Sequence, residues 1–259
     1  MEEEQIWTAF LCFWLAVSGA VLGSFLDCAV SRWGLGDPHP LAGRSRCGSC
    51  GHTLGARDLI PVFSYLFRRG RCRYCGERIP AECLWAELAG AAGFACLGLR
   101  FGPCLELGQW LVFAVFLLAL SLTDAAKRII PDRLLLLLAA NRAVWFLVLG
   151  QGVREALEAV KACAVPAALL VLVLAMEKVL GREAMGGGDV KLLFVLAMYL
   201  GWAELLLTLL AGCVLGLLRA ALTGGKRGAA MPFGPFLAAG AILTVCYGGP
   251  VLNWYFGLL

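Results

Sequence analysis

Charge is scarce in this 259-residue sequence: Asp, Glu, Lys and Arg together make up 15% of it, against 61% apolar residues and a mean hydropathy of +0.81. A water-soluble globule carries about 25% charged residues to cover its surface, so that class is excluded. A basic leader is also lacking. Met1-Glu-Glu-Glu-Gln5 has no Lys or Arg, and no small-residue cleavage site follows the uncharged run from Ile6 to Leu26. That segment reads as a retained first helix and not as a secretory signal. Nor is there a solenoid repeat or a Gly-rich strand-turn-helix of the nucleotide-binding kind.

What is present is apolar sequence in helix-length pieces. A transmembrane helix needs about 20 mainly apolar residues. Uncharged or nearly uncharged stretches fall at about 6–28, 82–99, 105–123, 132–149, 157–180, 189–201, 203–221 and 233–257. The expected fold is an all-α polytopic membrane protein of about eight transmembrane helices with a small insertion. Its expected parts are a first transmembrane helix in 1–30, a polar loop in 31–80 and a helical bundle in 81–259. Membrane lipid is the surrounding partner, and no nucleic-acid partner is expected.

Orientation follows from basic residues, which stay on the cytoplasmic side when they lie in short loops. Of the 22 Lys and Arg, nine lie in 31–80 and three each in 124–133, 178–191 and 219–230. This places the N-terminus outside and those four loops in the cytoplasm. A single helix over 190–220 would carry Lys226 and Arg227 outside, so two helices broken at Gly201-Trp-Ala-Glu204 are expected.

Eight of the twelve cysteines lie in or beside apolar runs and read as small hydrophobes. The other four form a pattern. Cys47-Gly-Ser-Cys50-Gly51 and Cys72-Arg-Tyr-Cys75-Gly76 are two CxxC turns 21 residues apart, each followed by glycine. Two such turns can set four thiolates tetrahedrally around one Zn²⁺, with the glycines supplying a positive φ. Four protein ligands leave no position for water, so the site would be structural, holding residues 44–78 together. Two disulfides or four unligated thiols are the competing readings, and a reducing cytoplasm disfavours the first.

Two aspartates fall where the apolar runs meet the cytoplasmic loops. Asp124 ends the third expected helix and Asp189, after Gly186-Gly187-Gly188, starts the sixth. On this topology they share one side and one depth. Carboxylates at a bilayer edge are costly to ionise unless solvated or paired, which marks them as functional candidates. Two that converge can divide peptide hydrolysis, one ionised to take a proton from water and one protonated to polarise the scissile carbonyl. The competing readings are a helix N-cap for Asp189 and a solvent ion pair with Lys127 or Arg128 for Asp124. Asp132, after Pro131, reads as a cap for the fourth helix. Lys191 either orients Asp189 or fixes helix depth. Arg142, inside the fourth helix, either pairs with a carboxylate or snorkels. His39 and His52 lie too far along the chain from the aspartates to assign, and His52 would be a spare metal ligand only if a cysteine were missing.

Taken in order, several motifs together resemble one known family almost from end to end. They are Gly23-Ser-Phe-Leu-Asp27, the CxxC turns enclosing Asp58-Leu-Ile-Pro-Val-Phe-Ser-Tyr65, Gly70-Arg-Cys-Arg-Tyr-Cys75, Asp124 with Pro131-Asp132, Gly186-Gly-Gly-Asp189-Val-Lys191 and Pro232-Phe-Gly-Pro-Phe236. The chain resembles the bacterial type IV prepilin peptidases, also called leader peptidase / N-methyltransferase. The resemblance implies an intramembrane aspartic endopeptidase of the bacterial cytoplasmic membrane. It would remove the basic leader of type IV prepilins and pseudopilins on the cytoplasmic side. By position, Asp124 and Asp189 would be the catalytic pair, with Gly186, Gly187, Gly188, Lys191, Pro131 and Asp132 supporting the site. In many members the N-terminal part also methylates the new amine with S-adenosylmethionine. This chain departs there, with Asp27 in place of the family's Asn and Cys83-Leu84 in place of Tyr-Pro, although Glu87-Leu88 and Gly90 fit. The alternative from another class is an ion- or proton-coupled transporter using Asp124, Arg142 and Asp189, against which the acids sit at one edge and not at the midplane.

Overall fold

The computed structural model describes residues 2–34, 41, 43–181, 185–222 and 232–258. His39 and the basic residues Arg182, Lys226 and Arg227 of the orientation argument lie outside them. Ten α-helices and one 3₁₀ turn are present and no strand is formed among the described residues. The chain divides into two compact units, Met1–Leu122 and Thr123–Leu259.

In the first unit α1 (Glu2–Gly34) packs along α3 (Ala81–Phe101), and small residues four apart on each helix make the contact. Gly19 lies against the backbone of Gly90, and Gly23 against that of Ala86, so closely that a Cβ at either glycine would strike a carbonyl. This is how apolar helices gain attraction in lipid, where burial of apolar surface provides none. Between them the polar loop holds a 3₁₀ turn (Ala56–Asp58) and a short α2 (Phe63–Phe67). The loop is tied to α3 where the buried Glu87 accepts the N–H of Val62 at 2.6 Å. After Gly102, whose positive φ of 63° ends α3, Phe101 stacks on Trp110 of α4 (Leu105–Lys127).

The second unit begins in the last turn of α4 and continues through α5 (Asp132–Val148), α6 (Val153–Ala162), α7 (Ala164–Leu180), α8 (Gly187–Ala197), α9 (Trp202–Leu222) and α10 (Gly234–Phe256). Helix α8 is apolar on all sides and packs against α5, α7 and α9, which makes it the core element. Its Leu192, Leu193, Leu196 and Ala197 are 0 or 1% exposed. Helices α9 and α10 meet closely at Gly240, where a Cβ would lie 2.6 Å from the Thr208 carbonyl. The expected break after α8 is present, with α9 starting at Trp202. Arg142 lies at this break. It donates from Nε to the Met198 carbonyl at 2.7 Å and sits 5.7 Å over the Tyr199 ring, in place of the carboxylate partner or snorkelling considered for it. Tyr199 in turn donates to the Leu138 carbonyl and accepts from Asn141. A cation at a helix C-terminus satisfies carbonyls that the helix itself leaves open.

Two expectations change. The single helix over 157–180 is two, because Pro166 has no N–H to bond the Ala162 carbonyl, and α6 forms a separate, polar-faced helix of ten residues ahead of α7. Among the described residues six segments are long and apolar enough to cross a membrane: Gln5–Trp33, Ala81–Phe101, Leu105–Lys127, Val153–Val179, which runs through both α6 and α7, Trp202–Leu222 and Gly234–Phe256. The remaining two of the eight expected, α5 with 17 residues and α8 with 11, are shorter than a full crossing of about 20.

Candidate active site and metal centre

The two CxxC turns fold into matching knuckles. In the first, Cys47 N–H donates to the His52 carbonyl and Gly51 N–H to the Cys47 carbonyl; in the second, Cys72 N–H donates to Glu77 and Gly76 N–H to Cys72. Gly51 and Gly76 adopt φ of 70° and 73°, the left-handed turn expected of them. Single antiparallel bridges, Arg46 to Thr53 and Arg71 to Arg78, close each knuckle. The knuckles meet through His52, stacked on Tyr74 with centroids 3.6 Å apart, and the sequence between them is pinned by Asp58. Asp58 accepts from Gly55 N–H and Tyr74 O–H and pairs with Arg68 at 3.3 Å.

The four sulfurs of Cys47, Cys50, Cys72 and Cys75 lie within 4.8 Å of one another, with Cys47 and Cys75 at 3.8 Å. Four sulfurs at about 2.3 Å from a tetrahedral zinc are about 3.8 Å apart, so the cluster fits such an ion. Backbone N–H groups of Cys50 and Ser49 pull the Cys47 thiol down to about 6, favouring the thiolate that a metal needs. Cys75 goes the other way, to about 12: the Glu77 N–H lowers it, but desolvation and the three neighbouring thiols outweigh that.

The aspartates belong to the second unit. Asp124 and Asp189 line one cavity of about 440 Å³, together with Arg128, Pro131, Asp132, Gly186–Gly188 and Lys191. Asp124, in the last turns of α4, is 6% exposed and accepts the N–H of Gly234 through Oδ2 at 2.9 Å. It is therefore not the solvent ion-pair residue considered for it. Asp189 is the third residue of α8, whose N-cap is Gly186, so its carboxyl does not cap the helix. Its Oδ1 is buried with no hydrogen-bond partner among the described residues. Burial first, and the Asp124 charge second, push its pKa up to about 6.

The surrounding residues divide. Gly188 seats α8 against the turn after α4, where a Cβ would come within 3.0 Å of Ile130 Cβ, and a Cβ on Gly186 would come within 3.2 Å of Asp189 Oδ2. Gly187 has open space beside it. Pro131 is the N-cap position of α5, so Asp132 is not the cap expected of it and instead pairs with Lys191 at 2.8 Å. Lys191 thus binds Asp132 and not Asp189, and the pair is exposed. One contributor is not singled out from sequence, the Gly234 N–H, although Gly234 lies within the motif Pro232-Phe-Gly-Pro-Phe236; Arg128, considered as a solvent partner of Asp124, leaves α4 with a positive φ of 55° beside it.

Fold and site together define a polytopic helical membrane protein with a paired-carboxylate pocket in one unit and, in the other, a four-thiol cluster that could hold a metal ion. Residues 17–101 match the Bacterial Peptidase A24 N-terminal domain and residues 111–221 match the Type IV leader peptidase family. The chain is 36% identical over 250 residues to the prepilin leader peptidase/N-methyltransferase of Bacillus subtilis (strain 168), covering 93% of this chain and 96% of that one. It is also 36% identical to the protein of that name from Dichelobacter nodosus, over 80% of this chain and 72% of that one. A third, from Burkholderia pseudomallei (strain 1026b), is 37% identical over 80% of this chain and 68% of the relative. No solved structure matches. The chain belongs to the type IV leader peptidase family, and it is a peptidase.

Proposed function

We propose that the protein cleaves the leader of prepilins and pseudopilins by aspartate-activated water, with Asp124 and Asp189 as the catalytic pair. The observation that carries this is their place in one cavity, with one Asp189 oxygen buried and unpartnered. One carboxylate takes a proton as water attacks the scissile carbonyl carbon, while the other, protonated, donates to the carbonyl oxygen. Collapse of the tetrahedral intermediate breaks the C–N bond, and the amine leaves with the proton held by the pair. A helical substrate must unwind locally, because its carbonyls are otherwise hydrogen-bonded. Gly187 and the open side of the cavity leave room for an extended strand.

In this reading the basic 31–80 loop and the aspartate cavity face the cytoplasm, the N-terminus lies outside, and the membrane is the bacterial cytoplasmic one. Cys47, Cys50, Cys72 and Cys75 hold a structural Zn²⁺ that clamps the loop and takes no part in cleavage. N-methylation of the new amine with S-adenosylmethionine is supported by the relatives' names alone. The transporter reading has no such support. Purified protein with a prepilin decides the matter: wild type cleaves, and Asp124→Asn and Asp189→Asn, folded and metal-loaded, do not. Undiminished cleavage by either variant ends the assignment. Methylation is tested in the same assay by transfer of labelled methyl from S-adenosylmethionine to the cleaved product.

A further inference from the structure

We propose that Gly234 is a positioning residue that holds Asp124 as the ionised, water-activating member of the pair and leaves Asp189 as the protonated one. This rests on the aspartate-pair reading and assigns the two roles within it. Gly234 is the first residue of α10, so its N–H is one of the donors that a helix cannot satisfy internally. Pro235 has no N–H, and the N–H groups of Phe236 and Leu237 are taken by the Phe233 carbonyl. The Gly234 N–H is thereby left for Asp124 Oδ2, which it meets at 2.9 Å in a buried setting. Only glycine admits the carboxylate this closely, because a Cβ there would lie 2.7 Å from that same oxygen.

Hydrogen bonding from a helix N-terminus favours the charged form of a carboxylate. The charged groups around Asp124 are Arg128, beyond it on α4, Asp189 across the cavity, and the Asp132 and Lys191 pair, which neutralise each other. Arg128 acts in the same sense as Gly234. Asp189 has the opposite environment. Its Oδ1 finds no donor, so an anion there would be buried uncompensated, while a carboxylic acid can donate its proton to a substrate carbonyl. The cavity thus carries one carboxylate with a backbone donor and a nearby guanidinium and one with an oxygen that has neither, the asymmetry that cleavage requires.

Two experiments test this. On wild-type protein at about pH 5, an epoxide alkylates ionised carboxylates and a copper-activated diazo ester esterifies protonated ones, and peptide mapping locates each label. The expected result is epoxide label on Asp124 and diazo label on Asp189, and reversal, or both labels on one residue, overturns the role assignment. In Gly234→Ala the methyl displaces the Asp124 carboxylate from its donor. The expected result is a fall in kcat of tenfold or more and a move of the acidic limb of the kcat/KM profile up by about one pH unit, with the alkaline limb fixed. Gly249→Ala, on the same helix with nothing within 4 Å, is expected to move neither limb. An unmoved acidic limb in Gly234→Ala also overturns the proposal, and if that variant does not fold the labelling decides. Failure of the aspartate pair itself would show separately, as cleavage surviving Asp124→Asn.

Discussion

Asp189→Asn, whatever its effect on cleavage, is expected to stabilise the protein at pH 8. In the folded chain the Asp189 pKa is raised from 3.8 to about 6, so its contribution is fully present below 3.8 and is lost as pH rises through about 6. A rise of about two units is worth about 3 kcal/mol at 1.36 kcal/mol per unit. Asp189 is only partly buried, and solvent screening reduces this to about 1–2 kcal/mol. An uncharged Asn of the same shape avoids the cost of an anion with an unpartnered buried oxygen. At pH 8 the variant should unfold about 2–6 °C above wild type, and at pH 4 the gain should shrink to under about 0.5 kcal/mol. Thermal unfolding of both proteins in detergent, followed by tryptophan fluorescence, measures this. The readout is the change in the difference between the two pH values, so an offset common to both drops out. A variant equally shifted at both values, or less stable relative to wild type at pH 8 than at pH 4, would refute the reasoning.

If the four-thiol cluster holds zinc as proposed, the purified chain carries about one Zn²⁺ and Cys72→Ser, at the buried member of the cluster, loses most of it; full zinc in that variant by metal analysis overturns the four-thiolate assignment. Gly90→Leu drives a side chain into the Gly19 backbone and should cost at least about 1–3 kcal/mol, seen as reduced folded protein on size-exclusion in detergent, whereas Gly93→Leu, with nothing within 4 Å, should accumulate normally. Lys191→Met removes an ion pair whose partners are 59% and 65% exposed, worth under about 1 kcal/mol, so cleavage should stay within about threefold of wild type; a larger loss would place Lys191 in the chemistry after all.

Sequence alone carried the features that depend on spacing. The CxxC turns needed only their glycines and their repeat to become two knuckles with matching hydrogen bonds, and the expected break between α8 and α9 is present. It failed where the outcome depends on which partner a side chain reaches. Arg142 could be read as a buried charge in search of an acid, but its partner is a backbone carbonyl that exists only because α8 stops at Ala197. Asp132 and Lys191 were each assigned to something nearer in sequence, when the fold joins them across 59 residues. The Gly234 N–H could not have been placed from sequence at all, since a backbone donor leaves no side-chain signature and acts 110 residues from its acceptor.

Helix α8 is short for an element that carries one of the two carboxylates lining the cavity. Eleven residues span about 16 Å, too little to be located by lipid thickness alone, so its depth has to be set by contacts at its ends. At the first end Gly188 meets Ile130, which fixes Asp189 relative to the turn that follows Asp124. At the other end the Met198 carbonyl is held by Arg142, and Tyr199 by Leu138 and Asn141, all from α5. Because α5 itself begins at that same turn, after Ile130 and Pro131, both ends of α8 are referred to one short stretch of chain leaving Asp124. The spacing of the two carboxylates is then a property of the α4–α5 turn, and a substitution at Ile130 or Arg142 reaches the site through it without touching substrate.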